Sequence, residues 1–292
     1  MGNNITIADV AETLGVSKTT VSRAISGKGR ISEATRQRVL NYIDEHDYKP
    51  NVIARGLAQS KTFNLCVVMP SNYALVDLPF FQEVIAGIQE IAAMNEYDIL
   101  LCICEENDVS SLERILRNGK VDGVVLLRTF LHDAQIELLS QKKIPFVTTG
   151  STTYKKVKQV DNDHESACRE LTSILLMRGM KRIALLGGSE SYVVTQNRYK
   201  GYAKAYEQMQ QSMDESLIYM NLETKSFIDR AVEDALEKKA DCILCMDDAI
   251  CSQVLRKLRQ EHVKVPNDVK VASFYNSSIL ENNVPSITSL SF

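Results

Sequence analysis

The sequence predicts an all-helical N-terminal unit followed by a larger α/β body of parallel sheets arranged in two lobes. Three observations carry that prediction. Residues 1–48 contain three short segments with clear helix-start chemistry. From Leu65 onward, apolar β-type runs alternate with amphipathic helical segments, the pattern of parallel strands covered on both faces. The alternation comes in two series, starting near Leu65 and near Ile183, which implies two similar lobes with a cleft between them.

Thr6 is a good N-cap, Asp9 stands three residues on to return the capping bond, and Ile5 and Val10 occupy hydrophobic-staple positions. Ser17 repeats the device with Val16 and Val21, after a tight turn at Gly15. Ser32 caps a third helix running toward His46. Ile7, Val10, Ala11, Leu14, Val21, Ile25, Val39, Leu40 and Ile43 are the expected apolar faces of a mini-core. Pro50 ends this unit. The stretch NVIARGLAQSK that follows has helical character but is short and contains Gly56, so it is marginal as an isolated helix. In the body, LCVVM, ILLCI, GVVLL and FVTT read as strands of the first series, and RIALL, LIYMN, CILC and VKVASF as strands of the second. The helix beginning at Phe81 shows an apolar face of Val84, Ile85, Ile88, Ile91 and Ala92.

At 292 residues the chain exceeds one ordinary core, and 45% hydrophobic with 24% charged residues is the balance of a soluble globular protein. No run approaches the length of apolar chain that crosses a bilayer, and the start lacks the charged-then-apolar layout of a signal peptide, so a cytoplasmic location is expected. The seven cysteines, Cys66, Cys102, Cys104, Cys168, Cys242, Cys245 and Cys251, lie mostly in apolar runs and read as buried thiols. Cys242 and Cys245 form a C-x-x-C that invites a zinc or redox reading, but they fall inside an expected strand and no second pair has metal spacing. The net charge of −3 is unevenly spread. Residues 1–61 carry nine Lys/Arg against six Asp/Glu, a net of +3, while the remainder carries 25 against 31, a net of −6. A basic module on an acidic body suits a nucleic-acid-facing unit.

Two capped helices joined by a short glycine-containing turn, as in TIADVAETLGVSKTTVSRAI, have the helix-turn-helix layout. With DVAETLGVSKTTVSR, ISEATRQRV and YKPNVIARGLA in order, the run from Thr6 through Leu57 resembles the headpiece of the LacI/GalR family of bacterial repressors. Lys18, Thr19, Ser22 and Arg23 lie on or near the first turns of the second helix, the part that enters a major groove. Arg23 suits bidentate bonding to guanine, whereas Ser17, Thr20 and Gly29 are better placed for phosphate. The resemblance adds Thr6 and Asn51 to the DNA-facing set. It further implies that residues 50–58 are a hinge helix that forms on operator DNA, with Ala54 and Arg55 facing the minor groove and Leu57 wedged between base steps. A plain linker with a leucine that packs on the body is the alternative for this stretch.

The resemblance continues through PFFQEVIAGI, RGMKRIALLGG, NRYKGYAKAY, MDDAICSQVLRKL and VPNDVKVASF. It implies a periplasmic-binding-protein-like body that forms homodimers and holds a small effector at the ends of its parallel strands. Phe80 and Phe81 match an aromatic wall of that cleft, Arg198 an arginine that grips the ligand, and Asp247 a position where the family often has Asn. Three departures stand out. Gly150 replaces an acidic residue after the strand ending at Thr149. Phe274, Tyr275 and Asn276 replace the usual F-D-D, so two carboxylate acceptors for a sugar or purine are gone. And the family runs on past the position of Phe292, so the fold is expected to be C-terminally shortened. The TTG at 148–150, with VDNDH and VVTQNRYKGY, resembles maltose-type members, which implies maltose or a maltodextrin as effector.

The expected organisation is therefore a headpiece at 1–49, a hinge and linker at 50–61, and an effector-binding and dimerisation domain at 62–292, its N-lobe about 62–160 and its C-lobe about 161–290. The expected partner is double-stranded operator DNA, with no cofactor, metal or membrane. Two other classes fit the sequence less well. An α/β enzyme would need a phosphate or nucleophile motif, and G-x-x-x-x-G-K-[ST], G-x-G-x-x-G and G-x-S-x-G are all absent; LLGGSES is only a glycine-rich turn, and His46, His132, His164 and His262 lack ligand spacing. A periplasmic solute-binding protein would fit the two lobes but not the headpiece.

Overall fold

A computed structural model describes the chain except for residues 1–4, 28, 49–55, 58 and 72–78. It divides into two compact units, Met1–Thr62 and Phe63–Phe292. The first holds α1 (Ile7–Leu14), α2 (Lys18–Ser26) and α3 (Glu33–Glu45). Each begins at a side chain that satisfies an otherwise orphaned backbone N–H. Thr6 and Asp9 form a reciprocal capping box. Ser17 accepts from the Thr20 amide, and Ser32 from the Thr35 amide. The three helices close over Val10, Ala11, Val21, Ala24, Val39 and Tyr48. Leu40, expected in this core, is instead exposed. Val39 takes the inward position on α3, which turns its neighbour about 100° away, and Tyr48, returning after the helix, fills the remaining space.

The second unit begins with β1 (Asn64–Pro70), α4 (Pro79–Met94), β2 (Asp98–Cys104), α5 (Ser110–Arg117), β3 (Gly123–Leu126), α6 (Ala134–Gln141), β4 (Phe146–Thr149) and β5 (Lys158–Val160). These strands make an all-parallel sheet in the order β2-β1-β3-β4-β5. A second series follows: α7 (His164–Met177), β6 (Ile183–Leu186), α8 (Val193–Gln208), β7 (Ile218–Tyr219), α9 (Lys225–Glu237), β8 (Cys242–Cys245), α10 (Asp248–Gln260), β9 (Lys270–Ser273), α11 (Ser278–Glu281) and β10 (Thr288–Ser289). Its sheet, also all parallel, is ordered β10-β9-β8-β6-β7.

The chain departs from the sequence expectations in detail. The helix expected from Phe81 starts at Pro79, and Ile91 on its apolar face is exposed while Ala92 one residue on is buried. The run LIYMN pairs only at Ile218 and Tyr219. Strands β5 and β10 were not anticipated, being too short to carry a period. Cys242 and Cys245 are fully buried in β8, where burial pushes the Cys242 thiol up to about 12 and so disfavours the thiolate that zinc or redox chemistry needs.

Helices α7 and α8 pack at unusually close range because Gly201 has no side chain. A Cβ there would lie 2.4 Å from the Glu165 carbonyl oxygen and 2.8 Å from Cys168 Cβ. Both neighbours belong to one helix and cannot yield by a rotamer change. Gly201→Ala is therefore expected to lower stability by about 1–3 kcal/mol through overpacking, despite alanine's better helix propensity. Urea unfolding measures this, and an unchanged or raised midpoint would contradict the close packing.

Candidate nucleic-acid interface and interlobe cleft

On α2 the inward face is Val21 and Ala24, which leaves Lys18, Thr19, Ser22 and Arg23 exposed together on the opposite side. That grouping follows from helical spacing, since positions i, i+1, i+4 and i+5 share a face. The hydroxyls of Ser17 and Thr20 lie 2.9 Å apart at the helix start, so both are engaged in the cap. Thr6 is likewise engaged with Asp9, and its side chain donates to that carboxylate at 2.8 Å. Hydrogen bonding from Thr6 holds the Asp9 carboxyl below its ordinary range.

Arg23 is positioned by a glycine. Gly29 has φ of +92°, in the left-handed region, and the Arg23 stem passes so close that a Cβ on Gly29 would meet Arg23 Cδ at 3.0 Å. The absent side chain gives Arg23 a shelf to lie on. Gly15 at φ +64° ends α1 and makes the turn into α2. Asn51, Ala54 and Arg55 lie outside the described residues. Gly56 and Leu57 have helical backbone, and Leu57 is 84% exposed.

In the second unit the carboxyl ends of both sheets face one cleft. Phe81 is buried and Phe80 packs edge-on against it and against Tyr275, with ring centroids 5.4 and 5.7 Å apart. The Arg128 guanidinium sits 5.3 Å from the Phe81 ring and 4.6 Å from the Tyr192 ring, a cation–π contact to each lobe. Backbone bonds join the lobes beside it: Leu131 N–H donates to Ser191 O at 2.8 Å, and Val193 N–H to Thr129 O at 3.2 Å. Phe130 and Tyr192 form an antiparallel bridge. Asn197 donates to Ser151 Oγ at 2.8 Å and Ser191 to Glu106 at 2.9 Å.

Arg198, on α8, is buried and donates through Nη1 to the Met246 carbonyl. Burial lowers its pKa, partly offset by nearby Cys168 and Asp247. Asp247 caps α10 by accepting from the Ile250 amide at 2.8 Å. Tyr275 is half-buried, and burial followed by the charge of Asp248 pushes its phenol up to about 12. Gly150, at φ +114°, accepts from Thr148 and lies against Thr129. Asn276 is turned elsewhere, bonded to Glu281 and Ser289. The structure thus gathers Phe80, Phe81, Arg198, Asp247 and Tyr275, sets Gly150 at the lobe junction, and leaves Asn276 to local bonds. Arg128, Tyr192 and Asp248 belong to the same place and were missed. A lone cation after a strand (Arg128) and the doubled acid of MDD (Asp248) were the available signals.

The family profile of bacterial regulatory proteins of the lacI family matches residues 6–51, and that of periplasmic binding proteins and sugar-binding domains of the LacI family matches residues 62–284. The HTH-type transcriptional regulator MalR of Streptococcus pneumoniae is 31% identical over 268 residues, covering 90% of this chain and 82% of its own. Catabolite control protein A of Staphylococcus xylosus is 30% identical over 290 residues, covering 98% of this chain and 87% of its own. A solved complex of the transcriptional regulator CelR with cellobiose is 28% identical, with a TM-score of 0.72 over 98% of this chain and 87% of that one.

Gly29→Ala tests the shelf under Arg23. The variant is expected to lose roughly tenfold in affinity for a specific duplex site, because displaced Arg23 forfeits part of a bidentate base contact. Gly119→Ala, also at positive φ but with open space around its Cβ, carries similar backbone strain in the other unit. Fluorescence anisotropy compares the two. Equal DNA affinities would contradict the positioning of Arg23 by Gly29.

Proposed function

The chain belongs to the lacI family of bacterial regulatory proteins, and from that premise we propose that it is a repressor of carbohydrate-utilisation genes, controlled by a small effector held between the lobes of its body. The observation that carries the DNA half is the exposed row Lys18, Thr19, Ser22 and Arg23 on α2, with the Arg23 stem seated on Gly29. That row suits the floor of a major groove, with Arg23 on a guanine edge and the starts of α1 and α2, at Thr6, Ser17 and Thr20, against phosphates. Gly29 then serves through Arg23 rather than by itself. Residues 50–61 act as the hinge between a headpiece at 1–49 and a body at 62–292. Leu57, helical and almost wholly exposed, is the apolar side chain available as a minor-groove wedge, and Asn51, Ala54 and Arg55 flank it in sequence.

A homodimer presents two such headpieces to a pseudo-palindromic site. Its support is apolar surface that nothing covers among the described residues: Ile91 and Met94 on α4 and Leu101 and Ile103 on the edge strand β2 are all exposed. The effector reading rests on the cleft built by Phe80, Phe81, Arg198, Asp247 and Tyr275, and on a similar regulator solved in complex with cellobiose. Maltose, a maltodextrin or another oligosaccharide is the proposed ligand class, with aromatic rings for sugar faces and Arg198 for hydroxyl oxygens. A second reading, a non-sugar ligand or a co-repressor, is favoured by one observation: Gly150 and Tyr275 supply no carboxylate. The relatives regulate transcription and do not suggest catalysis. No helix among the described residues is long and apolar enough to cross a membrane, which fits a cytoplasmic regulator.

Selection of bound duplexes from a random DNA library tests the DNA reading. A pseudo-palindromic consensus is expected, and Arg23→Ala should lower affinity for it by about 1–3 kcal/mol while relaxing choice at one base pair of each half-site. Equal losses on all sequences would confine Arg23 to phosphate contact. The dimer is tested at β2. Ile103→Glu puts a charge into the proposed seam, so sedimentation should show monomer at concentrations where the unaltered chain is dimeric. An unchanged sedimentation coefficient would move the interface elsewhere.

A further inference from the structure

The cleft contains a buried carboxylate to which nothing so far gives a role. Asp248 is the first residue of α10 and only 2% exposed, yet its Oδ2 has no hydrogen-bond partner among the described residues. Its surroundings come from four elements: Asp247 just before α10, Arg198 on α8, Tyr275 after β9 and Ser277 at the start of α11. The Ser277 hydroxyl and the backbone N–H groups of Asp248 and Ala249 lie close enough to offset part of the burial, but none meets Oδ2 in hydrogen-bond geometry, and the Ser277 hydroxyl too lacks a partner. Arg198, 8% exposed, is satisfied at Nη1 by Met246 but has no partner at Nε. A folded protein rarely leaves such groups unpaired, because each loses its water and gains nothing in return. Here an orphaned acceptor, an orphaned donor and an orphaned hydroxyl occur together, at the ends of β8 and β9.

We propose that Asp248 is a specificity-determining residue of the effector site, supplying with Arg198 the acceptor and donor that a ligand carrying neighbouring hydroxyls would satisfy together. This rests on the effector reading above and deepens it. With Gly150 and Tyr275 in place of acids, Asp248 brings a buried carboxylate oxygen without a partner to this end of the cleft, next to Asp247, whose Oδ1 accepts from the Ile250 amide. A vicinal diol fits the pair: one hydroxyl donates to Asp248 Oδ2 while the oxygen of its neighbour accepts from Arg198 Nε. Tyr275 and Phe80 beside them offer ring faces to the apolar side of the same sugar. Two further consequences follow from protonation. Burial, and then the charge of Asp247, raise the Asp248 carboxyl from 3.8 to about 6. The charged acceptor is thus present above pH 6 and lost below it. The same raised value means that ionised Asp248 weighs on folding above pH 6 and that the burden lifts as pH falls toward 3.8.

Asp248→Asn separates a ligand-facing role from a structural one. The probes are maltose, maltotriose, cellobiose, glucose and glucose 6-phosphate, titrated calorimetrically into the full chain at pH 5 to 8. The unaltered protein should bind at least one, with affinity falling as pH drops through 6. The variant should bind that sugar at least about tenfold more weakly at pH 8, lose the pH dependence, and melt no lower than the unaltered chain. Should the Asn variant fail to fold, Asp248→Ser, which keeps a small polar side chain without the carboxylate and leaves the Asp247 cap intact, takes its place. A variant that melts lower but binds the sugar with unchanged affinity and pH profile overturns the proposal and leaves the effector reading standing. An unaltered protein that binds none of the five overturns both.

Discussion

Within both sheets every pairing between the described strands is parallel, and that constraint shapes the rest of the second unit. A parallel neighbour cannot be reached by a tight turn, so each pair needs a crossover, and here nearly all the crossovers contain helices. Helices then cover both faces of the inner strands, and so β6 and β8 are apolar along their whole length. Parallel strands also end together. The loops that leave them, and the helix starts that follow, therefore converge on one edge of each lobe. Phe80, Arg128, Tyr192, Asp247 and Tyr275 are far apart in sequence but meet because each follows, directly or by a short loop, the carboxyl end of a strand.

The convergence has an electrostatic cost. Taking Arg198 out of water lowers its pKa, and burying Asp248 raises that of its carboxyl, so both are held in the charged form against their surroundings. Structural charges in a core are normally paired. Asp133, fully buried, shows the contrast: it accepts from the amides of Phe130, Gln135 and Ile136 as the cap of α6. Burial still raises its carboxyl, but its oxygens are used. The cleft groups have unpartnered polar atoms where the capping group does not, and perturbed ionisable groups of this kind mark candidate ligand sites. Next to them, Arg128 between Phe81 and Tyr192 and the short bridge at Phe130 and Tyr192 tie the lobes by contacts that belong to the protein itself.

What could be read from the sequence follows the range of the interactions involved. The helix starts at Thr6, Ser17 and Ser32 were legible because a cap needs only residues within one turn. The two series of strands were legible because buried parallel strands are continuously apolar. Leu40 and Ile91 were misplaced because helical period names a stripe but not its edge, and the edge is decided by partners such as Tyr48 that arrive from elsewhere in the chain. Strands β5 and β10 exist through pairing alone, with three and two residues respectively. Arg23 could be placed on the exposed face of α2, but not its shelf, since Gly29 looks like any turn glycine until the Arg23 stem lies across it. The family resemblance pointed to Arg198 and Asp247 and missed Asp248, because an unpaired oxygen is a property of packing and has no sequence pattern.

The two halves of the account, a headpiece that reads DNA and a body that reads a small molecule, are joined only if ligand and DNA affect one another. The direct measurement is the affinity of the full chain for its selected duplex, by fluorescence anisotropy at fixed salt, with and without saturating concentrations of the sugar that binds the cleft. A ligand-controlled regulator predicts a change of about 5- to 150-fold, in either direction. An affinity that stays the same when the cleft is demonstrably occupied would contradict it.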